Sequence, residues 1–273
     1  MSKWIWGHRF LVSRRLLQVG LIILFAGGNW FGWKFLMGNY SAAYVLESFY
    51  LADPHAVLQI SFAGFLVGMD LFIGALIIFL FYALIAGRAF CSWVCPINIL
   101  ADTVKQLRIK LHMTRTGPHP LPGKKARYYV LGMGLVLSIL TGVAAFEFIN
   151  PVTMLHRGII FGFGLGWTIV AMVVLFDFAV VEHGWCGHLC PIGAFYAIPA
   201  SLSLLKVKHI HENCTLCNKC KIVCPESQVL KIIGVNSGLI TSGECTNCGR
   251  CIEVCDDKAL KFTINNYKIR RMS

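Results

Sequence analysis

FCSWVCPI at residues 90–97 returns as WCGHLCPI at residues 185–192. Each copy follows a long apolar run and sets two thiols four positions apart, immediately before Pro-Ile. The likeness continues upstream. Asp53-Pro54 precedes the run leading to the first copy and Asn150-Pro151 precedes the run leading to the second, an offset of about 96 residues. An internal repeat on this scale predicts two parallel helical hairpins related by a pseudo-twofold axis along a membrane normal.

Composition agrees with a membrane setting. Of 273 residues 56% are hydrophobic and 14% charged, against roughly 25% charged in soluble chains. Four apolar stretches, near 16–37, 62–86, 128–149 and 158–181, approach or exceed the roughly 20 residues a helix needs to cross a bilayer. Basic residues crowd the N-terminal tail (Lys3, Arg9, Arg14, Arg15) and the central loop (Arg88, Lys105, Arg108, Lys110, Arg115, Lys124, Lys125, Arg127). The 38–61 loop has none, and the link before the fourth stretch has Arg157 alone. The positive-inside rule then predicts a multi-pass protein of the bacterial inner membrane with both termini cytoplasmic. Topology accounts for the net charge of +12, and no nucleic-acid partner is expected. Ser13-Arg14-Arg15 reads as a charge anchor for the first helix, not an export signal, because no Ala-x-Ala-like cleavage site follows.

From about residue 205 the chain becomes short, charged and Cys-rich. Cys214, Cys217, Cys220 and Cys224-Pro225 have the bacterial ferredoxin spacing, and Cys245, Cys248, Cys251 and Cys255 repeat it. In such runs three close thiolates hold one cubane and the fourth reaches the other cluster. The expected ligand sets are Cys214, Cys217, Cys220 and Cys255 for one [4Fe-4S] cluster, and Cys245, Cys248, Cys251 and Cys224 for the second. Two full copies of the four-Cys spacing argue against zinc. Asp256 stands where the second run would carry Pro. No Cys-x-x-Cys-His haem attachment, Walker loop or dinucleotide fingerprint is present.

The expected fold is an α-helical polytopic membrane protein, four transmembrane helices as two repeated hairpins, with a C-terminal bacterial ferredoxin-like domain. The boundaries are 1–200 for the membrane domain and 205–265 for the cytoplasmic two-cluster domain. Clusters beside a membrane domain make a lipid-soluble quinol the economical redox partner. Quinol oxidation releases protons, so ionisable residues in or beside the spans are candidates. Asp70, Asp177, Glu182 and His183 are taken as catalytic candidates, since a carboxylate inside hydrocarbon is costly to keep without a use. Asp53, His55, Glu147 and His156 lie nearer water, where a structural role is expected. On a helix, residues four apart share a face, so Cys91 with Cys95, and Cys186 with Cys190, are expected to point the same way. Converging about the pseudo-axis, the four thiols would form a metal or cluster site, a dithiol relay, or mere packing before a helix-ending Pro.

FCSWVCPIN, EFINPV, VVEHGWCGHLCPIGA and the paired ferredoxin runs, in this order along nearly the whole chain, resemble the NapH family, the membrane ferredoxin-type quinol dehydrogenase subunits of periplasmic nitrate reductase systems. The resemblance implies a quinol dehydrogenase component drawing on the membrane quinol pool. Its electrons would pass, with a periplasmic iron-sulfur protein resembling NapG and a multihaem cytochrome, towards the nitrate reductase. Two other uses fit the same clusters. One is an assembly or maturation factor that reduces a metal or thiol. The other is a regulator of the nitrous-oxide-reductase type, which would carry a large flavin domain where only 15 residues precede the first span.

Overall fold

The structure is a computed structural model and describes residues 7–113, 123–162 and 164–265. Lys3 and Arg115 of the charge pattern lie outside the described residues. In chain order the elements are α1 (Arg9–Phe31), β1 (Leu36–Gly38), β2 (Ala42–Val45), β3 (Phe49–Ala52), α2 (Pro54–Phe62), α3 (Met69–Phe81), α4 (Phe90–Trp93) and α5 (Ile97–Lys110). There follow α6 (Ala126–Thr141), α7 (Pro151–Phe161), α8 (Gly166–Ala179), α9 (Pro191–Ala200), β4 (Leu205–His209), α10 (Lys219–Val223), β5 (Gly238–Leu239), α11 (Arg250–Glu253) and β6 (Leu260–Ile264).

Each of the four apolar stretches holds a helix, and two of these have the length to cross a membrane. They are α1, with 23 residues, and the run from Met69 to Trp93, with 25. Leu16, Ile23, Ile73, Leu76, Ile77 and Leu80 are exposed along them, as lipid-facing positions would be. In the third and fourth stretches the helices are shorter, α6 with 16 residues and α8 with 14, or about 24 and 21 Å. Local chemistry sets these lengths. Gly142, left-handed at φ 66°, ends α6, and Gly162 at φ 94° separates α7 from α8.

The repeat seen in the sequence has a structural counterpart. Asp53 caps α2 by accepting from the His55 N–H (3.1 Å), and Asn150 caps α7 by accepting from the Val152 N–H (3.1 Å), each with Pro in the first turn. Pro tolerates that position because its missing N–H would find no intrahelical partner there. The 38–61 segment, expected as a loop, instead carries strands of the antiparallel sheet β1-β2-β3 and then α2. Strands of three or four residues are too short to show an alternating pattern. Gly74 of α3 passes so close to this sheet that a Cβ there would collide with the Tyr50 carbonyl.

The chain divides into two compact units. Among the described residues, one comprises 18–79, 95–113, 123–162 and 164–195; the other joins 196–265 to 7–17 and 80–94. In the second unit, β5-β4-β6 form an antiparallel sheet, and specific polar contacts hold the distant pieces of chain together. Glu253 accepts from the N–H groups of Phe10 (2.5 Å) and Leu11 (3.0 Å), capping the otherwise unpaired start of α1. Ser92 Oγ donates to the Thr246 carbonyl (2.7 Å) and Trp93 Nε1 to the Asn247 carbonyl (3.0 Å). Arg88 and Glu226 form a buried ion pair at 2.8 Å, with side chains 2% and 4% exposed.

Removing one member of such a pair strands the other charge away from water. Arg88→Met should therefore destabilise this unit by about 3–5 kcal/mol, and Arg88→Met combined with Glu226→Leu should recover a large part of the loss. Chemical denaturation of both variants measures this.

Candidate functional site

The C-terminal thiols sit on two loops of the same construction. Counting from Cys214 and Cys245, the residues at the third and fifth positions are left-handed in both, Leu216 (φ 59°) with Asn218 (φ 56°) and Asn247 (φ 48°) with Gly249 (φ 74°). Left-handed residues interspersed with right-handed ones turn successive backbone N–H groups inward, a nest suited to anionic groups and iron-sulfur sites. α10 and α11 begin immediately after Asn218 and Gly249.

Cys220, Cys248 and Cys251 are buried and Cys217 is exposed. Cys220 and Cys251 belong to the core itself with Val207, Leu230, Ile240 and Leu260, and Cys214, Cys224, Cys245 and Cys255 pack against it. Two neighbourhoods emerge. Cys220 is raised by burial first, then by Cys255, Cys214 and Cys217, and a cavity is lined by these same four. Burial pushes Cys224 up to about 12, with Cys248 and Cys245 adding to it. Cys245 is pushed up to about 11 by burial, although Lys206 and Arg88 partly oppose this. Cys251 is raised well above its ordinary value by burial, then by Cys248, Cys245 and Cys224 ahead of Cys220.

Thiolates so crowded and desolvated need a cation among them, and metal ligation requires the thiolate form. The donor set and the cavity therefore fit an iron-sulfur group. Asp256, the departure from Pro, pairs with Lys219 at 2.7 Å on the surface. Asp257 beside it accepts from Thr215 Oγ1 at 2.6 Å. The two runs are tied to each other here.

The Cys-x-x-x-Cys-Pro motifs are not carried on one unbroken helix. Cys91 lies in α4, but Cys95 stands past its end. Cys186 lies in a π-helical turn, Trp185–Leu189, while Cys190 is extended (φ −67°, ψ 111°). The following Pro explains this, because its ring disfavours the helical conformation in the residue before it. The second thiol of each motif thus occupies a helix break. Gln18 Nε2 donates to the Cys95 carbonyl (3.1 Å), and Arg127 Nη1 to the Gly187 carbonyl (3.4 Å).

Of the four ionisable candidates, three gather along α5. His183 lies 3.8 Å from Asp102, and Glu182 lies 3.3 Å from Lys105. Asp177, 1% exposed, accepts from the Trp185 N–H at 2.8 Å, while Arg108 donates to the carbonyls of Asp177 and Phe178. Asp102 was not singled out from the sequence, and Lys105 and Arg108 only as loop charges, although their three-residue spacing on an amphipathic helix was the available signal. Asp70 is apart from them, exposed in the first turn of α3, where an acid suits the helix dipole. A second constellation appears among residues expected to be structural: a ligand atom from each of Asp53, His55 and Glu147 lies within 4.8 Å of the others.

A family model described as a 4Fe-4S binding domain matches residues 67–114 and 163–208, and one described as a 4Fe-4S dicluster domain matches 206–256. The chain is 41% identical over 269 residues to the ferredoxin-type protein NapH of Haemophilus influenzae, covering 96% of this chain and 93% of that protein. It is 39% identical to NapH of Escherichia coli, covering 95% and 91%. Its identity to the methylamine utilization ferredoxin-type protein MauN of Methylorubrum extorquens is 40%, covering 96% and 91%. No solved structure matches the chain.

Gly249 tests the loop geometry. A Cβ at this left-handed position would lie 2.6 Å from the Phe10 ring and carry a backbone cost of roughly 1–2 kcal/mol. Gly249→Ala should release iron to a chelator faster than the parent protein, whereas Leu216→Gly, which relieves the same strain, should not.

Proposed function

The chain belongs to the family of the ferredoxin-type proteins NapH and MauN, and from that premise we propose that it oxidises a membrane quinol and passes the electrons through its iron-sulfur clusters to partner proteins. Iron-sulfur electron transfer is the function common to this family. The quinol, the four-span topology with cytoplasmic termini in an inner membrane, and the identity of the partners are the finer parts of the reading. The observation that carries it is the coexistence, in one chain, of two crowded sets of buried thiols with two helices long and apolar enough to cross a membrane. A protein so built meets a water-soluble redox partner at one site and a lipid-soluble one at another.

Cys214, Cys217, Cys220 and Cys255 would hold one [4Fe-4S] cluster, and Cys245, Cys248, Cys251 and Cys224 the second, each cluster supplying a one-electron carrier. The chain's own part is to exclude water from the thiolates, to present nest N–H groups, and to place Lys206 and Arg88 near Cys245. The four thiols Cys91, Cys95, Cys186 and Cys190 form a redox-linked unit in this reading. The match of the 4Fe-4S binding model to both segments that contain them supports metal or cluster binding over packing. Downstream, a NapG-like periplasmic iron-sulfur protein and a multihaem cytochrome leading to a nitrate reductase are the proposed acceptors. Relatives named for methylamine utilization match equally well, which favours a step that more than one pathway can use.

Purified without oxygen, the protein should contain about eight iron atoms from two four-iron clusters, or more if the Cys-x-x-x-Cys-Pro thiols bind a further group. A quinol analogue should reduce them. Cys224→Ser should lose one cluster first and weaken the other, while Cys95→Ala or Cys190→Ala should stop quinol-driven electron transfer with both ferredoxin clusters spectroscopically intact. Clusters that dithionite reduces but quinol does not would favour a maturation factor instead.

A further inference from the structure

The constellation around His55 has features that a structural role alone does not explain. Phe146 N–H donates to Gln59 Oε1 (2.9 Å), which orients the Gln59 amide so that its NH2 group faces His55 Nδ1 (3.2 Å). A neutral His55 must then carry its proton on Nε2, a donor that has no hydrogen-bond partner among the described residues. The ring is 2% exposed and is held by the rings of Phe146 and Phe195, each with its centroid 5.6 Å away. Glu147 is oriented by Ser41 Oγ and Asn150 Nδ2, both at 2.9 Å.

A second buried histidine is an orphan. His156 is fully buried, clamped edge-on between Phe25 and Tyr40 with both ring centroids 4.7 Å away, and neither ring nitrogen has a partner among the described residues. A buried imidazole with no hydrogen bond is costly and calls for a missing partner. Two covalent links join it to the first group. Tyr40, which packs on His156, precedes Ser41, which bonds Glu147; Asn150, which bonds Glu147, caps the helix that bears His156.

We propose that Asp53, His55, Glu147 and His156 form the binding site of the quinol head group. This rests on the quinol oxidation proposed above. An aromatic diol suits aromatic walls with a polar group for each hydroxyl. One hydroxyl gives its proton to the Glu147 or Asp53 carboxylate, while His55 Nε2–H donates to the same oxygen as it becomes a carbonyl. The other gives its proton to a ring nitrogen of His156. Two O–H bonds break, two C=O bonds form, and two protons and two electrons leave. The electrons pass singly to oxidised iron-sulfur clusters of this protein or its partner. Phe195, against His55, lies five residues beyond Cys190 on the helix that opens at Pro191, so the site adjoins one of the Cys-x-x-x-Cys-Pro motifs. A divalent cation suits the site less well, because the protonated Nε2 has no lone pair to offer.

The test uses the reconstituted holoprotein with decylubiquinol as donor, following cluster bleaching. Glu147→Gln and His156→Gln should slow quinol-driven reduction on the order of 10²-fold, with dithionite reduction unchanged. Wild-type clusters that quinol fails to reduce would sink the quinol function itself. Normal quinol rates in both variants would overturn only the site. Should either variant fail to fold, an azidoquinone photolabel on the wild-type protein decides. Adducts within residues 40–59 or 146–156 support the site and adducts confined elsewhere refute it, as would stoichiometric divalent metal lost in Glu147→Gln.

Discussion

Thiolates buried beside one another repel, and the C-terminal unit of this chain is organised around that repulsion. Its hydrophobic core is aliphatic but includes cysteine, with Cys220 and Cys251 among Val207, Leu230 and Ile240. Burial, with neighbouring thiols adding to it, drives several of these thiols far from their ionised form. A cationic cluster would resolve the conflict, and would contribute folding free energy in doing so, because the site does not exist in the unfolded chain. The left-handed positions at Leu216, Asn218, Asn247 and Gly249 are the backbone cost of wrapping the chain around it.

The same unit recruits chain from far away in sequence, and each attachment is polar and specific. Glu253 caps α1, Asn247 Nδ2 bonds the Ala86 carbonyl at 3.0 Å, and the Arg88–Glu226 pair is nearly closed to water. Apolar packing would hold these pieces together without setting their register. Buried charge-assisted bonds tolerate only one arrangement, because any other leaves a charge or an N–H group unpaired.

The other compact unit follows a different rule. Its apolar faces are exposed along the helices, while polar groups are drawn inward: His55, Gln59, Asn150, His156 and Asp177 are each 2% exposed or less. Most are explained by caps and by bonds to helix breaks. Asn150 starts α7, and Asp177 secures the turn containing Cys186. His156 is left over by that accounting, which marks it for a ligand.

The sequence by itself determined the cluster-bearing domain, since thiol spacing along a chain is local and a cubane accepts few spacings. It also determined the duplication, through the matched Asx-Pro caps and Cys-Pro breaks, and the apolar character of four helices. Only the tertiary structure decided which chain segments join the cluster unit, because Arg88 and Glu226 are 138 residues apart and nothing local announces their pairing. It also placed the second thiol of each Cys-x-x-x-Cys motif at a helix break, where the constraint imposed by Pro on its predecessor outweighs helical periodicity. And it separated Asp70 from Asp177 while uniting Asp53, His55 and Glu147. Burial and hydrogen-bond satisfaction decide whether an ionisable residue has a partner, and both are properties of the folded chain.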